Sequence, residues 1–276
     1  METIPSRIRK YFLITFAWTW SIWCIPGLMG MSINESPTMI FLALGGFAPS
    51  LVGTIMAYKT GDSKYWKDYL KRIIDYKRIT PAWLLVILLT IPVSAILSSG
   101  IYWGWTGNVP EFSRIHEMLK NPVSLVMFAL FMMLFGPIPE EIGWRGFALD
   151  HLNVCYTRVR ASIILGAFWA LWHVPLFFIG DTYQQGLYNQ SFILVVDYLL
   201  QFFVLSIIMD WIYHNTGKSI LSGVLFHFCI NFFGELFELP AAVIVSRTLV
   251  QLVFALGILY FWRGNDRTDI ALLAQK

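Results

Sequence analysis

Glu140 and Glu141 stand side by side in "PEEIGWRGF", residues 139–147, directly after the strongly apolar run "SLVMFALFMMLFGPI". Arg145 follows four places after the second glutamate. Two histidines and an asparagine occur in equally apolar company: His173 in "FWALWHVPLF", and His227 with Asn231 in "FHFCINFF". An ionisable side chain inside such a run costs several kcal/mol unless it is paired or wetted, so each is a candidate for chemistry. Glu141 and Arg145, at i,i+4 in the favoured acid-before-base order, can form an ion pair. Glu140 then points about 100° away around the helix and stays free for another role. His227 and Asn231 share one helical face by the same spacing.

A carboxylate facing a histidine can deprotonate and orient a water, and a histidine beside an asparagine can donate hydrogen bonds to a developing oxyanion. These groups describe a hydrolase without a covalent nucleophile. Glu140 is expected as general base, His173 as its partner in holding the water, and His227 with Asn231 as the oxyanion hole. Two carboxylates this close do not both ionise cheaply in a poorly hydrated site, so Arg145 is expected to hold Glu141 charged. A zinc version, with glutamate and two histidines as ligands and a metal-bound water as attacker, is the competing chemistry. The chain lacks H-E-x-x-H, which favours the metal-free form.

The elements that position these groups are membrane spans. The chain has 276 residues, 57% of them hydrophobic and 13% charged, with twelve tryptophans. That composition excludes a soluble domain of this size, and with a net charge of only +3 and basic residues in short loops between apolar runs no nucleic-acid surface suggests itself. With roughly 20 apolar residues needed to cross a bilayer, spans are expected at 11–30, 39–58, 81–103, 122–152, 160–180, 191–213, 217–238 and 241–263. The expected fold is therefore an all-α integral membrane bundle of about eight helices, one polytopic domain over 1–276, with a polar cavity open to the cytosol. The first run follows Arg7, Arg9 and Lys10 but offers no small-residue cleavage site, and is expected to be a retained span. Cys24, Cys155 and Cys229 show no metal-site or disulfide spacing.

The fourth span carries the site, and Pro137 with Pro139 suits the first turn of a renewed helix whose N-terminus favours negative charge. A kinked rather than finished helix is expected. At 1.5 Å rise per residue, Glu140 lies about 18 Å from Leu152, His173 about 20 Å from Arg160, and His227 and Asn231 about 15 and 21 Å from Gly217. Four polar groups on three helices thus share one depth. Of the 20 basic residues, all but Arg114, Lys120 and Arg247 fall on one side, which by the positive-inside bias places both termini in the cytosol. Residues 63–78, "SKYWKDYLKRIIDYKR", read as a helix lying flat on that surface. Asp197 and Arg247 are expected as a structural ion pair or an outward-facing wet pocket, with Gln201 and Gln251 extending the contact, and Asp210 as a snorkelling end residue. A serine–histidine dyad from Ser222 and His227 is disfavoured, because five residues rotate the two about 140° apart.

Three motifs in order now resemble a known family. "EEIGWR" at 140–145 looks like an E-E-x-x-x-R signature, "FWALWH" at 168–173 like an aromatic-x-x-x-x-H motif, and "HFCIN" at 227–231 like H-x-x-x-N. Together they resemble the CAAX prenyl endopeptidase and Abi (CPBP) group of intramembrane proteases, in its type II CAAX branch. The motif-bearing core covers about 120–235. The resemblance implies release of the aaX tripeptide from a prenylated CaaX C-terminus. It places Glu140, His173, His227 and Asn231 in the catalytic set and Glu141 with Arg145 in support. The implied partners are a prenylated protein or peptide and membrane lipid, with no nucleic acid and no cofactor, in a monomer of a prokaryotic plasma membrane (the endoplasmic reticulum for a eukaryotic source). Phe168, Trp169 and Trp172 are expected to bind substrate at an aromatic lateral opening. The rivals are a non-catalytic immunity or binding protein of the Abi group and a proton-coupled transporter, for which no inverted repeat is visible.

Overall fold

Proline and short polar side chains start the helices. The computed structural model describes residues 3–273, apart from the side chains of Ser113 and of residues 263–273. Lys276 and the side chains of Arg263 and Arg267, counted above for the charge bias, lie outside that description. Helix α1 (Ile4–Leu28) is followed by α2 (Ser36–Gly46) and α3 (Ala48–Lys59), which form one span with a break at Phe47. Helix α4 (Ser63–Ile74) is capped by Asp62, which accepts from the backbone N–H of Lys64 and Tyr65. Thr80 caps α5 (Pro81–Thr106), whose end passes into Gly107 at φ 73°, the left-handed position that favours glycine.

A short α6 (Ser113–Lys120) precedes the interrupted fourth span: α7 (Pro122–Leu134), α8 (Pro137–Gly143), a π-helical turn (Trp144–Leu149) and α9 (Asp150–Cys155). Thr157 caps α10 (Arg158–Trp172), which tightens into a 3-10 turn at Val174–Phe178. Then come α11 (Tyr183–Gln190), α12 (Phe192–Asn215), α13 (Ile220–Leu236) and α14 (Ala241–Leu273). Among the described residues, seven helical stretches are long and apolar enough to cross a membrane, and α13 is a shorter apolar helix. The sequence reading of about eight spans holds, with α13 as the short one.

Alternating spans give the bundle two ends. The basal end gathers the start of α1, the turn 59–62, α4, the joint 156–157 and the turn 216–219. The loop end gathers residues 29–35, 107–121, 179–191 and 237–240. Helix α12 is the hub: α10 packs along one side of it and α14 along another, while α14 also packs on α5 and α3 on α8.

Helix α4 is anchored to the basal end, not merely laid flat on it. Tyr69 donates to the Ile142 carbonyl at 2.9 Å, and burial pushes its phenol up to about 12. Arg72 is fully buried; its guanidinium reaches Asp150 at 2.6 Å and Tyr213 at 2.5 Å, while Tyr213 also donates to Asp150 at 2.8 Å. The amphipathic pattern located this helix, but a lysine-and-arginine face concealed one arginine that is interior. Asp210 departs from expectation in the same way: it is buried and accepts from Ser162 instead of snorkelling.

Candidate active site

Helix α7 ends because Phe135 and Gly136 leave helical geometry, with Gly136 at φ −138° and ψ −82°. Pro137 and Pro139 supply the fixed φ of a first turn, so α8 restarts inside the bundle with Glu140 in that turn. This is the kink that the two prolines imply. Close packing on α3 holds the restarted helix in place. A Cβ on Gly143 would lie 2.1 Å from the Pro49 carbonyl oxygen, so only glycine permits the approach. The π-helical turn that follows is buried at every residue.

Glu141 and Arg145 form the expected ion pair at 2.8 Å, both side chains fully enclosed. The same Glu141 Oε1 faces His227 Nδ1 at 2.8 Å. A carboxylate accepts, so Nδ1 of His227 carries the proton and Nε2 is left for the cavity. Arg145 lies over the Trp169 ring at 4.4 Å and its Nη2 reaches Met209 Sδ at 3.1 Å. The second glutamate is thus the centre of an interior Arg145–Glu141–His227 chain.

Glu140 takes a different environment one residue away. Trp169 donates its indole N–H to Glu140 Oε2 at 2.6 Å, and Glu140 Oε1 lies 3.9 Å from His173 Nε2. His173 Nδ1 is 2.8 Å from the Trp169 carbonyl. That carbonyl can only accept, so Nδ1 carries the proton and Nε2 presents a lone pair toward Glu140. Two acceptors therefore face each other across a gap that suits one water donating to both. Asn231 lies on the same α13 face as His227, and its Nδ2 would be 2.5 Å from a Cβ on Gly136, so the missing side chain at Gly136 makes the room for the amide.

Glu140, Trp169, Trp172, His173, His227 and Asn231 line one cavity of about 270 Å³, together with Tyr198, Gln201, Phe202 and Arg247. The structure brings together every polar residue singled out for catalysis. It separates others. Phe168 lies outside the cavity, stacked on Phe12 at 3.8 Å, because one residue of helical rotation turns it about 100° around α10 from Trp169. Trp172 faces the cavity with its indole N–H tied to Thr19 at 2.8 Å. Asp197 accepts from Thr248 at 3.0 Å and makes no direct ion pair with Arg247, one residue earlier on α14, which stays close enough to attract it. Ser222 bonds to Thr216 and the Ser219 carbonyl, with no contact to His227. Among the described residues, no three His, Cys, Asp or Glu side chains gather closely enough to hold a metal ion.

The cavity runs from Glu140 toward the loop end: Ile33, Thr182, Tyr183 and Glu235 line it there. Toward the basal end the interior is filled by Tyr11, Trp144, Phe147 and Tyr213, all fully buried. The mouth and the start of α1 are on opposite ends. Sequence reasoning also missed the part played by Trp169, assigned above to substrate. An indole reads as filler until its N–H is seen to end on a carboxylate.

Comparison with known proteins agrees with this architecture. Residues 122–233 match the family model described as type II CAAX prenyl endopeptidase Rce1-like. The chain is 31% identical over 254 residues to CAAX prenyl protease 2 of Methanococcus maripaludis, an alignment covering 92% of this chain and 93% of that protein.

Proposed function

The chain belongs to the type II CAAX prenyl endopeptidase family, an integral multi-pass membrane peptidase, and from that premise we propose that it removes the aaX tripeptide from prenylated CaaX C-termini by glutamate-dependent hydrolysis. The carrying observation is the pair of acceptors, Glu140 and His173, held 3.9 Å apart by the two ends of Trp169.

A water bound between them donates to both. As it attacks the scissile carbonyl, its oxygen forms the new C–O bond and its proton passes to Glu140. The carbonyl oxygen becomes an oxyanion, met by the Asn231 amide and the Nε2 side of His227. For Nε2 to donate, His227 must carry a second proton, and Glu141 at its Nδ1 is the counter-charge. Collapse breaks the C–N bond, and the proton on Glu140 goes to the leaving amine. No metal is required by this scheme.

The isoprenoid has a path from lipid. Helix α2 contributes Met39 and Leu42 to the cavity wall, and α7 with the residue that follows it contributes Phe131 and Phe135, yet α2 packs on α1 and α3 while α7 packs on α6, α8 and α13. Between α2 and α7 the wall is thin and apolar, with Phe131 and Phe135 exposed. This gap, and not the Phe168 face, is the lateral opening we assign to the prenyl chain. A client made in the cytosol must reach the mouth, so the loop end faces the cytosol and α1 starts on the far side, against the basic-residue bias. One chain supplies every residue of this scheme, so a monomer suffices for it.

The deciding experiment is hydrolysis of a farnesylated CaaX peptide by purified enzyme and by Glu140→Gln. General-base catalysis is worth about 10²–10⁴-fold, and a loss of that size is expected with folding retained. A folded Glu140→Gln chain with undiminished turnover would remove Glu140 from the mechanism. Chelator treatment should leave the rate unchanged, whereas one tightly held zinc per active chain would overturn the metal-free scheme.

A further inference from the structure

Arg247 is a buried cation in the cavity wall. It is 5% exposed, its Nε is buried with no hydrogen bond, and no acidic side chain among the described residues forms an ion pair with it. Its neighbours in charge are Tyr183 and Asp197. Asp197 is held by Thr248, and Glu235, the other acid on this wall, has Arg114 beside it, with Arg114 Nη1 on the Glu235 carbonyl at 3.4 Å. A buried guanidinium left unpaired is expensive, and its five-donor fork matches a carboxylate.

Position makes the match specific. Phe202 packs against His173 with ring centres 4.7 Å apart, and Asp197 is five residues nearer the start of α12, about 7.5 Å along the axis. Thr248, adjacent to Arg247, is bonded to Asp197, so the Arg247 backbone stands at that height above the catalytic pair. Three extended residues span about 10 Å. The C-terminal carboxylate of a tripeptide leaving group, counted from the bond facing Glu140, falls at comparable height.

We infer that Arg247 is the subsite for the free α-carboxylate at the substrate's C-terminus, and so fixes the cut three residues from the chain end. This rests on the endopeptidase reading of the same cavity. The carboxylate docks against the guanidinium, with the Tyr183 phenol on the same wall. The contact is equal in ground and transition states, so its effect belongs in KM.

The test compares two farnesylated CaaX peptides, one ending in the free acid and one in the carboxamide, with wild-type enzyme, Arg247→Gln and Arg247→Lys. A charge-assisted contact of this kind is worth about tenfold or more. Wild type should show a KM at least about tenfold lower for the acid, Arg247→Gln should bring the KM values of acid and amide together, and Arg247→Lys should restore part of the preference. Equal cleavage of both peptides by wild type would overturn the subsite while leaving the endopeptidase standing. So would an Arg247→Gln enzyme that keeps the acid preference or loses both substrates alike. Cleavage of neither peptide by wild type would overturn both readings. The wild-type comparison needs no variant, so it stands even where Arg247→Gln does not fold.

Discussion

Trp169 donates its indole N–H to Glu140 at 2.6 Å and offers its own main-chain carbonyl to His173 at 2.8 Å, so one residue of α10 orients both members of the water-holding pair. The carbonyl survives any substitution that keeps the helix. The indole does not, and the two contacts can therefore be separated.

Trp169→Phe should leave His173 in place and free Glu140. Loss of a hydrogen bond to a charged acceptor, about 1.5–3 kcal/mol, corresponds to roughly 10–100-fold in kcat/KM. Steady-state kinetics on the farnesylated peptide check this, and an unchanged rate would show that Glu140 is oriented by something else.

Two glycines of the restarted helix should separate stability from activity. Gly143→Ala brings a Cβ within 2.1 Å of backbone at Pro49, which cannot yield as a side chain can, and a cost above about 3 kcal/mol is expected, seen as loss of folded protein in detergent. Gly136→Ala presses only on the Asn231 amide, 2.5 Å away. It should lower turnover by about 10²-fold, as for a displaced oxyanion donor, with the melting temperature little changed.

Removing a charge from the interior chain or from the buried cluster under α4 should be a stability lesion first. Glu141→Ala strands Arg145 in a fully enclosed position, at about 3–5 kcal/mol. Arg72→Ala removes the guanidinium that ties α4 to Asp150, which keeps Tyr213 and Lys218, so a smaller loss is expected together with release of the C-terminal half of α4. Thermal unfolding in detergent measures both, and a wild-type melting temperature for either would contradict the packing described.

Membrane orientation can be read with single cysteines in a chain whose Cys24, Cys155 and Cys229 are replaced by alanine. Asn108→Cys lies in an exposed turn at the loop end and Ser63→Cys at the exposed start of α4. Substrate access requires that an impermeant maleimide applied outside intact cells label Ser63→Cys and spare Asn108→Cys. The reverse pattern would mean that charge bias governs insertion and that the mouth faces away from the cytosol.

The sequence by itself determined the class, the spans and the residue types of the site. Apolar runs separated by proline and polar caps have only one stable use in a bilayer, and helical spacing alone sets the depth of Glu140, His173, His227 and Asn231 and the pairing of Glu141 with Arg145. What lies between helices was decided only by tertiary structure. The gap between Glu140 and His173, the second contact of Glu141 with His227, and the indole on Glu140 depend on how α8, α10 and α13 are rotated toward one another, which no single-helix period specifies. Phe168 shows the limit: a residue beside Trp169 in sequence faces away from the cavity. The extent of the cavity was also hidden, because spacing gives depth from an end but not which half of the bundle is filled. Arg247 stood out in sequence as a charge in lipid, and only the packing showed that Asp197 had already turned to Thr248, leaving the guanidinium to the cavity.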